Sequence, residues 1–141
     1  MQTLQFDYLP FGFYDPVTKE PSYLYRPYIP VTLGYNHRLC KFPLDCLLDS
    51  GADKNLFPAQ WGDLIGINIK RGKLQEHIGI GDAKIQAYRH KITLYIGSYS
   101  FKTEADFSQS QQIPLLGREG FFQFFDKVSF NEKSKTIELS Y

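Results

Sequence analysis

Apolar and polar side chains that alternate along much of this chain confine it to strands, because only an extended backbone turns successive side chains to opposite faces. In Phe101-Lys102-Thr103-Glu104-Ala105-Asp106-Phe107 the charges fall on every second residue. Lys91-Ile92-Thr93-Leu94-Tyr95-Ile96 has the same period, and Gly97-Ser98-Tyr99-Ser100 between the two reads as a hairpin turn. Val128-Ser129-Phe130 and Ile137-Glu138-Leu139 flank the polar stretch Asn131 to Lys135, which predicts a second hairpin. A third is predicted around Asp15-Pro16-Val17-Thr18-Lys19-Glu20-Pro21, a turn-rich link between aromatic segments.

Two short helices interrupt this pattern. Pro58 suits a first helical position, Trp61, Leu64 and Ile65 share a face, and Gly66 suits the residue after the end. The other is predicted from about Arg118 to Phe125. Its Phe121, Phe122, Phe124 and Phe125 are too apolar for an exposed helix, so it should pack on the barrel or at an interface. The pattern therefore predicts an all-β fold with one or two short helices. No repeat, linker or low-complexity segment divides the 141 residues, so one domain is expected over 1–141.

Composition narrows the function. Lys+Arg number 16 against Asp+Glu 15, a net charge of +1, so no basic excess points to nucleic acid. No stretch approaches the roughly 18 apolar residues of a membrane span. The start, Met1 to Tyr8, lacks the pattern of a signal peptide, so a cytoplasmic protein is expected. The Met1 start also reads as complete, with no self-release from a larger precursor. Cys40 and Cys46 lack the spacing of a zinc site and read as buried thiols, while His37, His77 and His90 are scattered. No metal or organic cofactor is implied.

The most informative stretch is Leu47-Leu48-Asp49-Ser50-Gly51-Ala52-Asp53. An apolar strand delivers a carboxylate to a tight turn. Gly51 lets the backbone approach that carboxylate where a side chain would block it. Backbone N–H groups aimed at a carboxylate stabilise its charged form, and the Ser50 hydroxyl offers a further hydrogen bond. Asp-Ser-Gly alone is also an ordinary turn.

Its context resembles the retroviral-type (retropepsin-like) aspartic proteases, over about Arg26 to Leu139. Leu47 to Ala52 looks like the active-site segment of that family. Ile78-Gly79-Ile80-Gly81-Asp82 looks like its glycine-containing flap. Two alternating strands follow, then Pro114-Leu115-Leu116-Gly117-Arg118 matches the motif that opens its short helix. The resemblance implies a closed all-β barrel and an aspartic endopeptidase acting on extended peptides, with Asp49 catalytic and Ser50, Gly51 and Ala52 forming its loop. It also implies an ion pair of Asp53 with Arg118 that braces the loop. The carboxyl-terminal hairpin looks like that of cellular and prokaryotic members.

Aspartic proteases use two carboxylates, and this chain has one Asp-Ser-Gly; Asp82 precedes Ala83 and is no second copy. The resemblance therefore implies a two-fold homodimer that brings Asp49 to its own symmetry mate. The partners implied are a second copy and a peptide or protein substrate, with no nucleic acid and no membrane. Ser50 stands where viral members usually carry Thr. Glu119 at the start of the predicted helix suits the helix dipole. Residues 1–25 form an extension that either adds a strand to the barrel edge or swaps between protomers. Two other readings stay open: a non-catalytic dimeric peptide-binding or adaptor domain on the same fold, and an unrelated β-barrel binding protein with a chance Asp-Ser-Gly. Trp61, Tyr88 and Phe107 are expected in the core rather than in a substrate pocket.

Overall fold

The computed structural model describes the backbone of residues 1–141 and every side chain except that of Ile80. The strands run β1 (Thr3–Asp7), β2 (Leu9–Tyr14), β3 (Pro21–Arg26), β4 (Tyr28–Tyr35), β5 (Arg38–Leu39), β6 (Leu44–Leu48) and β7 (Asn55–Pro58). After helix α1 (Ala59–Leu64) come β8 (Lys73–Ile78), β9 (Lys84–Ile96), β10 (Tyr99–Ser108), β11 (Leu115–Leu116), β12 (Lys127–Asn131) and β13 (Thr136–Ser140).

Six strands close a barrel in the order β4-β6-β11-β7-β10-β9, with β9 pairing back onto β4 through Thr32↔Tyr95, Leu33↔Leu94 and Gly34↔Thr93. Closure removes the free edges an open sheet would leave. β5 extends β4 on the outside through a two-residue turn, where Asn36 and His37 both have positive φ (45° and 65°) as a type I′ hairpin requires.

Alternation fills the barrel. Ile92, Leu94 and Ile96 of β9 point inward beside Phe101, Ala105 and Phe107 of β10, and Phe57, Ile29 and Leu33 meet them from other walls. Each large apolar side chain fully buried here contributes about 1.5–3 kcal/mol. The predicted hairpins over 91–107, 128–139 and 9–26 all form. Phe107 is fully buried, while Trp61 and Tyr88 pack against the core from its margin. Both cysteines are buried free thiols, and burial pushes the Cys46 thiol well above its ordinary pKa, so it stays protonated.

Two expectations are corrected. The first is the helix from Arg118 to Phe125, which is instead an irregular turn followed by one 3-10 turn over Phe122–Phe124. Phe121, at φ −140° and ψ −59°, breaks the helical path. It does so because its ring turns into the core, 4.9 Å from that of Phe125, while Phe124 stacks on Phe101 at 4.2 Å. Buried aromatics pulled to more than one direction outweigh the weak preference of a single helical turn.

The second is the amino-terminal extension. β1 pairs with β13 of its own chain in a separate three-stranded sheet, β1-β13-β12, rather than with the barrel edge. Stacked Tyr99 and Tyr141, 4.0 Å apart, help join that sheet to the barrel. β2 and β3 form a two-stranded sheet of their own, on which Tyr14 and Tyr23 are largely exposed.

Candidate active site

The Asp49 carboxylate sits where three strands cross. β11 lies between β6 and β7, parallel to the first and antiparallel to the second. Leu47 N–H donates to the Pro114 carbonyl (2.9 Å), Asp49 N–H to the Leu116 carbonyl (3.0 Å), and Leu48 N–H to the Pro27 carbonyl (3.0 Å). The backbone that carries Asp49 is thus bonded on both sides before the turn begins.

The turn itself is short. Ala52 N–H donates to the Asp49 carbonyl (3.1 Å) and Gly51 N–H to Asp49 Oδ1 (2.9 Å). A Cβ on Gly51 would lie 3.3 Å from that same oxygen, so glycine permits the approach the sequence anticipated. The side chain of Asp49 is half-buried, with one oxygen held and the carboxylate accessible. Ser50 is exposed, and among the described residues its hydroxyl has no partner within the chain.

The ion pair of Asp53 with Arg118 is absent among the described residues, which corrects the expectation. Both side chains are exposed, where pairing gains little over hydration and costs side-chain freedom. Lys54 instead hydrogen-bonds Glu119 and holds its carboxyl below the usual carboxylate range.

The brace is Asn55, which sequence reading passed over. Its fully buried amide accepts from Gly117 N–H (3.0 Å) and donates to the carbonyls of Gly120 (2.9 Å) and Glu104 (3.0 Å). Arg118 N–H and Glu119 N–H add bonds to the carbonyls of Ala52 and Asp53, 2.8 Å each. Gly117 is dictated by this crossing, because a Cβ there would stand 2.4 Å from the Lys54 carbonyl oxygen. The signal available in the sequence was an asparagine opening the apolar strand Asn-Leu-Phe-Pro, where only a satisfied amide can be buried.

The segment Ile78 to Asp82 forms the tip of the hairpin of β8 and β9. Gly79 N–H closes it onto the Ala83 carbonyl (2.7 Å), Gly81 and Asp82 have φ of 76° and 59°, and the side chain of Ile80 lies outside the described residues. Leu74 and Ile78 lie on one face of this hairpin with more than half their surface exposed.

Among the described residues no group of three His, Cys, Asp or Glu side chains could hold a metal, and no helix is long and apolar enough to cross a membrane. A cavity of about 930 Å³ lies on the outer face of β9 and β10, and none of residues 49–53 or 78–83 lines it.

Solved structures share this architecture. A retropepsin-like aspartic protease from Rickettsia conorii superposes with a TM-score of 0.63 over 99% of this chain and 94% of its own, at 14% identity. The chain has the retropepsin-like fold. The retroviral protease-like domain of Ddi1 from Leishmania major also carries it, with a TM-score of 0.53 over 82% of this chain and 92% of that domain, at 12% identity. No family model matches the sequence, and no curated protein matches it. At identities this low the likeness is one of backbone geometry and shows the fold alone.

Proposed function

We propose that the protein is an aspartic endopeptidase that hydrolyses extended polypeptides with a dyad of Asp49 carboxylates, one from each of two identical chains. The observation that carries this reading is the fixed, half-buried Asp49 at the crossing of β6, β7 and β11 on a retropepsin-like barrel. A single Asp-Ser-Gly per chain supports the homodimer, since an isologous contact brings a residue near the axis to its own copy.

Two carboxylates that close cannot both ionise, so they share one proton. The charged member takes a proton from a water as that water attacks the peptide carbonyl. The neutral member gives its proton to the developing oxyanion or the leaving nitrogen. Those protonation steps belong to the coupled pair and not to either residue. The hairpin tip from Ile78 to Asp82 acts as a flap whose backbone groups bond the substrate as an added strand. Two buried free thiols support a reducing compartment such as the cytoplasm.

The test is cleavage of unfolded casein or a peptide library across about pH 3 to 7, the range over which such dyads titrate. The reading predicts cleavage that a statine-type inhibitor blocks and that Asp49→Asn abolishes while the fold persists. A folded dimer that binds peptides and cleaves none would establish the adaptor reading in its place.

A further inference from the structure

On the reading that the β8–β9 hairpin is a flap, we propose that Asp106 is its positioning residue: one buried carboxylate on the barrel wall holds β9 at the root of the hairpin and β8 one residue short of its tip. Asp106 lies on β10, and its side chain is fully buried at 0% exposure. It accepts His77 Nε2 at 2.7 Å on Oδ2, Arg89 Nε at 2.8 Å on Oδ1, and Arg89 Nη2 at 3.0 Å on Oδ2. His77 belongs to β8 and Arg89 to β9, so a single side chain ties down both arms.

The place of these contacts gives them their effect. The ladder of β9 with β10 ends at Phe107↔Tyr88. Residues 84–87 of β9 then pair with β8 alone. His77, opposite Ile85, lies on that unsupported stretch and reaches back to Asp106 as a strut. Ser108 Oγ donates to the Gln86 carbonyl at 2.7 Å, which gives β10 a second hold on the same stretch.

A carboxylate is a costly choice for such a wall. Its burial is tolerable only if its oxygens are satisfied, and an apolar residue would pack there at less cost. The bidentate fork of Arg89 fixes direction as well as distance. The hydrogen bonds to Asp106 push the Arg89 pKa up against the opposing effect of burial, and Glu104 and Glu119 add to the pull. An apolar contact would hold the hairpin against the barrel without fixing its angle. The salt bridge sets that angle, and with it the height of the tip above Asp49. Asp106 touches no reacting atom in this scheme. It acts through the substrate bonds that a correctly placed hairpin makes.

The experiment is steady-state peptide cleavage by the full chain, with hydrogen exchange followed at backbone amides. Asp106→Asn keeps the shape but replaces an accepting oxygen with a donor. It should raise KM about tenfold and leave kcat within about twofold, the signature of lost binding shared by ground and transition states. His77 is 26% exposed, so His77→Ala tests the strut with less risk to folding. It should raise KM in the same direction, and His77→Gln, whose amide can still donate, should restore it. Amide exchange over 74–87 should speed up in the Asn and Ala variants, with amides over 44–58 unchanged. Unchanged KM and unchanged exchange in Asp106→Asn and His77→Ala would overturn the proposal. So would a uniform rise in exchange across the barrel, which marks a merely structural role. If the wild-type chain cleaves nothing, the protease reading fails, and the exchange pattern alone decides whether Asp106 holds the hairpin.

Discussion

The Asp49 loop and the β8–β9 hairpin face the same proposed chemistry and are built in opposite ways. The loop is locked from every side: Asn55 bonds three backbone groups, Gly117 lies against the Lys54 carbonyl, and strands flank it on both edges. Asp106 holds the hairpin through Arg89 at its root and His77 just below its tip, while a Cβ on Gly81 in the tip would meet, among the described residues beyond its chain neighbours, no heavy atom within 4 Å. On the proposed mechanism a carboxylate that meets its own copy needs precise placement, and a hairpin that admits and covers a peptide needs a free end on a defined hinge.

Substitutions can break that contrast. Asn55→Leu should have the largest effect. It strands Gly117 N–H in the interior and takes the Asn55 donor from the carbonyls of Glu104 and Gly120, the latter keeping its bond from the Thr103 hydroxyl (2.7 Å), a loss of about 4 kcal/mol on unfolding by urea. Gly117→Ala comes next, at about 3 kcal/mol, because the clash is with backbone that cannot yield. Gly81→Ala should cost about 1 kcal/mol, the strain of a left-handed residue in open space. It should leave the exchange rates of the Asp49 loop untouched. Arg118→Ala should move stability least, by about 0.5 kcal/mol or less, since among the described residues it has no ion-pair partner. If Arg118→Ala proves as damaging as Asn55→Leu, the loop is braced by the pair with Asp53 after all.

Strands and hairpins were legible in the sequence because their signal is local. Lys91 to Phe107 alternates, and its turn lies between the two runs. The Asp49 turn was legible for the same reason, since Asp-Ser-Gly carries its own geometry. What escaped were residues whose role depends on distant partners. Asn55 looks like a polar residue at a strand edge until Gly117 and Gly120, 62 and 65 positions on, close over it. Asp106 falls on the charged face of an alternating strand and so reads as solvated. It is buried because His77 and Arg89 fold over that face. The helix from Arg118 failed because four phenylalanines in five residues are divided among directions that no one helical face can serve.

Mixing wild-type chains with the Asp49→Asn variant and following peptide cleavage puts the shared dyad to the sharpest trial. At equal amounts, random exchange places about half of the wild-type chains in mixed pairs with a single carboxylate, so activity should fall to about half and keep falling as more variant is added. Cleavage that stays constant however much variant is present would mean that each chain works alone, and the two-chain mechanism would be wrong.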